Sequence, residues 1–176
     1  MVSLLTIEQI FQDKSIKAKG KAAMIGDWLI QGELSLDELI GYAERQKAAD
    51  KASCIEAIEY ATKNKPTISD DYLLEYVIGA LADDEPRVKW ESAKVIGNII
   101  GYHPDQVGAA ADALLLNIPR GGTVLRWATA YALGEILKLD TAYNAFLILK
   151  VKELCAQEED NGVRNKYLAA FKKLKV

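Results

Sequence analysis

The stretch VKWESAKVIGNI, from Val88 to Ile99, returns later in the chain as LRWATAYALGEI, from Leu125 to Ile136. Both follow one template: apolar, basic, Trp, any, small, Ala, any, apolar, apolar, Gly, any, Ile. The apolar positions recur every three or four residues, which is the pattern of an amphipathic helix. Two copies of one helix indicate a repeat, and the two glycines of the template, at 97 and 134, lie 37 residues apart.

The same register extends in both directions from these two copies. It places Gly26 and Ala61 before them and Lys172 after them, so that the successive spacings are 35, 36, 37 and 38 residues. A near-constant period of this size is typical of stacked supersecondary units. We therefore expect one domain, 1–176, with five repeats over residues 1–31, 32–66, 67–102, 103–139 and 140–176.

Each repeat also contains a second apolar-periodic stretch, upstream of the first. Residue types that favour helix N-termini precede these stretches. The candidate caps are Thr6 and Ser35 (each in a capping box), Ser69 or Asp70, Asp105, and Asp140 or Thr141. No segment alternates polar and apolar residues for long enough to predict a strand. The prediction is ten helices in five pairs, with more than about two thirds of the residues helical.

These repeats resemble HEAT repeats over nearly the whole chain. The best matches are DDEPRVKWESAKVIGNI, residues 83–99, and EDNGVRNKYLAAF, residues 159–171, where an acidic turn precedes an apolar–basic pair. The resemblance implies an all-α fold, a right-handed alpha–alpha superhelix of the HEAT or armadillo type, with the second helices lining its concave surface. It further implies a scaffold that binds a protein or peptide. A minority of HEAT proteins bind DNA, including alkyl-base glycosylases, and short HEAT-like repeats also occur in lyase-like chaperones of bilins.

Composition narrows the function classes. Half of the 176 residues are hydrophobic and 27% are charged, a balance typical of a globular domain. The net charge of −3 disfavours nucleic acid as the partner without excluding a local basic face. We find no long apolar span and no signal peptide, so we expect a cytoplasmic protein with reduced cysteines and no membrane contact. The sequence does not indicate the oligomeric state.

No motif for catalysis, metal or cofactor binding is present. Nucleotide-binding glycine loops, metalloprotease signatures and paired CxxC motifs are absent. His103, the single histidine, precedes Pro104, and we expect it to be a solvated loop residue. Gly121 and Gly122 before a helix start are expected to form a simple turn rather than an anion site. The expectation is a non-catalytic protein without a cofactor or metal.

One basic register position is filled in three consecutive repeats, by Lys89, Arg126 and Arg164. In HEAT repeats this position commonly pairs with an acid that precedes the second helix. Asp83 and Glu158 stand there, six residues earlier, whereas Arg120 breaks the pattern. We expect a structural ladder of ion pairs, with ligand contact as the alternative.

The tryptophans suggest a binding surface. Trp90 and Trp127 lie seven residues before their glycines, which rotates them off the core stripe. We expect them to stand side by side and partly exposed in a groove, where aromatic anchors often bind partners; the alternative is that each packs flat on a neighbouring helix. Trp28 aligns with Ile99 and Ile136 and is expected to be buried. The candidate partner-binding residues are Trp90, Lys94, Arg126, Trp127, Tyr131 and Glu135.

Overall fold

The computed structural model describes residues 4–117 and 121–176. Helix accounts for 80% of the structure, and the described residues contain no strand. The predictions of an all-helical chain and of more than two thirds helix are confirmed. No helix in these two ranges combines the length and the apolar character that a membrane crossing requires.

The described ranges contain ten α-helices. They are α1 (Leu4–Gln12), α2 (Ala18–Gln31), α3 (Leu36–Ala43), α4 (Ala48–Asn64), α5 (Asp71–Ala80), α6 (Pro86–Ile99), α7 (Val107–Asn117), α8 (Thr123–Lys138), α9 (Asn144–Gln157) and α10 (Asn161–Leu174). Short 3-10 turns cover Pro66–Ile68, Ile100–Tyr102 and Pro104–Gln106. Each of the five expected repeats therefore holds one odd-numbered and one even-numbered helix.

Two of the predicted helix caps are present. The Ser35 hydroxyl accepts a hydrogen bond from the Glu38 backbone amide at 3.2 Å, and the Glu38 carboxylate accepts one from the Ser35 amide at 3.1 Å. Asp70 caps α5 by accepting from the Leu73 amide at 2.8 Å. These contacts satisfy amides that have no partner inside the helix.

Three other predicted caps are wrong. Thr6 lies inside α1, which extends back to Leu4. Asp105 lies in the 3-10 turn opened by Pro104, so that α7 begins only at Val107.

The cap expected at Asp140 or Thr141 is also displaced. Asp140 has a left-handed backbone (φ 53°) and donates its amide to Leu137, which ends the preceding helix. The next helix starts at Asn144, whose side-chain amide donates to the Leu137 carbonyl at 2.9 Å.

The even-numbered helices form a continuous row. The most extensive helix contacts join α2 to α4, α4 to α6, α6 to α8 and α8 to α10, while α3, α5 and α7 pack against the even-numbered helix that follows each of them. Nearly all of the buried apolar residues belong to one hydrophobic cluster that reaches from Ile7 to Phe171. The expected inward positions of the template are confirmed, since Val88, Ala93 and Ile96 are fully buried. Since this core is shared between neighbours, one helix pair cannot bury its apolar face alone.

The template glycines mark close approach between even-numbered helices. A Cβ added at Gly97 would lie 2.7 Å from Cδ1 of Tyr131 on the next even-numbered helix. A Cβ at Gly26 would overlap the ring of Tyr60 in the same way, and one at Gly134 would lie 3.4 Å from Cβ of Ala170. At positions 26 and 97 a tyrosine of the next even-numbered helix occupies the space of a Cβ, whereas a Cβ at position 134 would make only an ordinary van der Waals contact.

Candidate functional site

A cleft of about 640 Å³ runs across the row of even-numbered helices. All five of these helices contribute to its lining. The lining residues are Lys19 and Ala22 of α2, Glu56, Glu59, Tyr60 and Lys63 of α4, Lys94 and Asn98 of α6, Trp127 and Tyr131 of α8, and Lys166 of α10. We call this surface the even-helix cleft.

The structure separates the six candidate partner-binding residues into two groups. Three of them line the even-helix cleft: Lys94, Trp127 and Tyr131. The other three are outside its lining: Trp90, Arg126 and Glu135.

Trp90 is engaged with a buried carboxylate rather than with the cleft. Its indole Nε1 donates to Oε1 of Glu91 at 3.1 Å, and the ammonium of Lys94 lies 2.8 Å from Oε2 of the same residue. Glu91 is only 4% exposed, and burial raises the pKa of its carboxyl group above the ordinary value. Trp90 thus helps to satisfy an acid that lies inside the helix packing.

Trp127 lines the cleft and Trp90 does not, and the described residues show no ring contact between the two tryptophans. In the described ranges the only ring that Trp127 stacks on is Tyr131 of its own helix, with centroids 6.0 Å apart and planes inclined by 21°. Both tryptophans are partly buried against the core, as expected for positions off the core stripe.

The expectation that Trp28 is buried is also wrong. Trp28 is partly buried, whereas its register equivalents Ile99 and Ile136 are fully buried. Helix α2 stands at the end of the row and has only one even-numbered neighbour in the described structure. The larger indole therefore extends past the packing that covers the two isoleucines.

Arg126 forms an ion pair between repeats, and it is the only one of the three basic residues of the expected ladder that pairs with a carboxylate in the described ranges. Its guanidinium donates to both carboxylate oxygens of Glu158, at 3.0 and 3.2 Å, across successive repeats. This contact holds the pKa of Glu158 below its usual range. Arg164 donates instead to the backbone carbonyl of Glu158. Asp83 pairs with Lys51 at 3.2 Å.

The other residues considered for the ladder or for partner binding do not form ion pairs between repeats in the described ranges. Lys89 forms no ion pair in the part of the chain that the structure describes, although its charge helps to lower the pKa of Asp83. Arg120 lies outside the described residues. Glu135 pairs with Lys138 one turn along its own helix at 2.8 Å.

One wall of the cleft is an aromatic–amide cluster, formed by Asn98, Trp127, Tyr131 and Lys166. The Lys166 ammonium lies 4.6 Å from the centre of the Trp127 ring and 5.8 Å from that of Tyr131, which is cation–π geometry. The Tyr131 hydroxyl donates to Oδ1 of Asn98 at 2.7 Å. Burial raises the pKa of Tyr131 to about 12, so its hydroxyl stays protonated and remains a donor.

The same cluster extends to the neighbouring helix through Asn98. Its side-chain amide donates to the Glu59 carbonyl and to the Thr62 hydroxyl, both at 3.2 Å. The Asn98 side chain therefore links α4, α6 and α8. These polar groups already satisfy one another, and they fix the orientation of the rings.

Charge in the cleft is only partly compensated. Lys94 pairs with Glu91, and Glu56 pairs with Arg87. No carboxylate of the described residues lies within ion-pair distance of the other three lysines of the cleft, Lys19, Lys63 and Lys166. Glu59 similarly lacks a cationic partner there. Three positive charges against one negative leave the cleft with a local excess of two positive charges, in a chain whose net charge is −3.

The expectation that His103 is a solvated loop residue is wrong. It is 9% exposed, with Nδ1 2.8 Å from Oδ1 of Asp71 and Nε2 2.9 Å from Oγ of Ser69. The order of side chains matches a Ser–His–Asp triad, but the Ser69 hydroxyl also donates to the Pro66 carbonyl at 2.8 Å. The side chain of Asp71 is 78% exposed, unlike the buried acid of a triad. This contact ties two turns together.

Metal coordination finds no support in the described ranges. No group of three or more His, Cys, Asp and Glu side chains there is placed to hold an ion. Cys54 and Cys155 are free, buried thiols, and burial raises the pKa of each.

Sequence reasoning missed much of the positive charge in the cleft. Lys19 stands seven residues before Gly26, in the register of Trp90 and Trp127, so that a signal for it existed. Lys63 and Lys166 share no register position with a candidate residue. Their convergence depends on how successive helices are rotated.

Three comparisons with known proteins were made, by family model, by sequence and by structure. No family model, curated protein or solved structure matches this chain.

Proposed function

We propose that this chain is a non-catalytic scaffold of the HEAT type that binds a segment of a partner protein in the even-helix cleft. The observation that carries the proposal is that all five even-numbered helices contribute to one cleft that holds aromatic rings and uncompensated charge. Concave sites with a few convergent polar groups are the usual binding sites of proteins.

The proposed architecture is a right-handed superhelix of five repeats. Its support is the register of 35 to 38 residues together with the row of contacts between successive even-numbered helices. In repeat proteins each unit contacts its neighbours, and the stack offers an extended surface for a partner. We propose that the protein works in the cytoplasm.

The proposed contact residues are Lys19, Lys63, Lys94, Trp127, Tyr131 and Lys166. Trp127 and Tyr131 offer apolar area in a fixed orientation, and the lysines offer charge at its edge. Trp90, Arg126 and Glu135 are proposed to have structural roles, because their polar groups are bound to Glu91, Glu158 and Lys138, respectively.

Site-specific photo-crosslinking tests this proposal. A photoreactive amino acid replaces Lys63 in the cleft, and in a matched variant it replaces Lys152, an exposed lysine of α9. After irradiation in native cytoplasm, we expect a defined protein adduct at position 63 and none of the same mass at position 152. Identical adducts at both positions, or no adduct at position 63, would contradict the proposal.

Nucleic-acid binding is the second candidate, and one observation favours it. Lys166 over Trp127 resembles the lysine–aromatic surfaces on which bases stack. Two features weigh against it. Lys166 covers the ring on which a base would stack, and Glu56 and Glu59 place carboxylates in the same cleft.

A further inference from the structure

We infer that the segment bound in the even-helix cleft is acidic, with separated carboxylates that pair with Lys63, Lys166 and Lys19. This inference rests on the proposed function and adds the chemistry of the partner. The argument for it is charge complementarity between the uncompensated lysines of the cleft and the carboxylates of the segment.

The three lysines differ from the other charged groups around the cleft. Lys94 and Glu56 already have partners of opposite charge, which compensate them. Lys19, Lys63 and Lys166 lie on α2, α4 and α10, so the uncompensated positive charge extends from one end of the row to the other. An extended acidic segment fits that distribution better than a compact anion.

Lys166 has a second property that a carboxylate would exploit. Its ammonium is held by the faces of Trp127 and Tyr131, without a carboxylate partner in the described structure. A carboxylate arriving at this ammonium gains a charge-assisted hydrogen bond while the stem of the lysine still covers the ring. Binding would therefore change the surroundings of the Trp127 indole. Neither of the other two tryptophans, Trp28 and Trp90, lines the cleft.

A peptide fits better than a phosphate backbone. Glu59 lacks a cationic partner and would repel a chain that carries a charge on every unit. A peptide spaces its carboxylates and can place a backbone amide or a basic side chain opposite Glu59. The Tyr131 hydroxyl donates its hydrogen bond to the Asn98 side-chain oxygen, so these two groups have little hydrogen-bonding capacity left for the edges of bases.

The test uses a fluorescently labelled peptide of alternating Glu and Ala as the probe, with a Lys–Ala peptide and an oligo-dT strand for comparison. Binding is measured by fluorescence anisotropy. Of the three probes, we expect only the Glu–Ala peptide to bind, with an affinity that falls as the salt concentration is raised. Lys63→Gln and Lys166→Gln should each weaken binding by roughly three- to fivefold, as partly exposed ion pairs do. Lys152→Gln, at an exposed position of α9 outside the cleft lining, is the matched control and should leave binding unchanged.

A second readout follows the cleft itself. In a Trp28→Phe/Trp90→Phe variant the remaining indole is Trp127, and its emission should change on addition of the Glu–Ala peptide. Equal loss of affinity in Lys152→Gln, unchanged affinity in both cleft variants, or tighter binding of oligo-dT would overturn the inference. A crosslinked partner at position 63 together with no binding of the Glu–Ala peptide would reject the acidic segment and retain the scaffold. No crosslinked partner at position 63 together with no binding of the Glu–Ala peptide would reject both the scaffold and the acidic segment.

Discussion

At the scale of single residues, identical register positions acquire different roles through their neighbours. Trp90 and Trp127 both lie seven residues before a template glycine. Trp90 is followed by Glu91, whose buried carboxylate accepts its indole N–H, while Trp127 is followed by Ala128 and stacks on Tyr131 in the cleft. The sequence therefore predicted partial exposure for both, but it did not distinguish the one that lines the cleft.

The residue-scale prediction concerns Gly97. Gly97→Ala places a methyl group against the Tyr131 ring, which the Asn98 hydrogen bond and the Trp127 stack hold in position. We expect a net loss of about 1–2 kcal/mol in the free energy of unfolding, because overpacking outweighs the gain in helix propensity. Chemical denaturation monitored by circular dichroism measures it.

Gly79→Ala is the matched control for that substitution. Gly79 lies in α5, where an added Cβ has nothing within 4 Å. This variant should gain up to about 1 kcal/mol in unfolding free energy. Similar effects of the two substitutions would mean that helix approach does not explain the glycine register.

At the scale of elements, the template predicted the even-numbered helices better than their partners. Except for Trp28 of α2, the inward positions named from the template are buried, because a period of 3.6 residues determines which side chains face inward. The predicted starts of α7 and α9 were wrong. The predicted cap Asp105 lies in a 3-10 turn that begins at Pro104, and the predicted cap Asp140 has a left-handed backbone that ends the preceding helix. Such local backbone choices depend on the packing of the turn and not on cap preference alone.

The element-scale prediction concerns the bridge between α8 and the turn before α10. Glu158→Gln keeps the shape of the side chain but removes the charge that pairs with Arg126. We expect a loss of roughly 1–3 kcal/mol in unfolding free energy at neutral pH, as for hydrogen bonds to charged groups. The neighbouring exposed acid gives the control, Glu159→Gln, which should change it by less than about 0.5 kcal/mol.

The pH dependence of the same pair has a definite sign. Arg126 lowers the pKa of Glu158 in the folded state, so its stabilisation is fully present above the ordinary carboxyl pKa. It is lost as the pH falls through the lower folded-state pKa. The stability difference between the wild type and Glu158→Gln should therefore shrink in acid. A difference that stays constant from neutral pH into that range would contradict the ion-pair assignment.

At the scale of the whole molecule, the repeat period predicted ten helices and five pairs, and it placed Lys94, Trp127 and Tyr131 on a common surface. It did not predict that Lys19 and Lys166, from the first and last even-numbered helices, contribute to the same cleft. That convergence depends on the rotation between successive repeats, which a register does not encode.

The central claim is that the even-helix cleft binds the partner, and Trp127 and Trp90 test it as a matched pair. With the photoreactive residue at position 63, Trp127→Ala should lower the yield of the crosslinked partner by about tenfold or more, as loss of an aromatic anchor does. Trp90→Ala, at the same register position but outside the cleft, should keep the yield within about twofold of the parent. Equal yields from the two alanine variants, in proteins of unchanged helical content, would contradict the account.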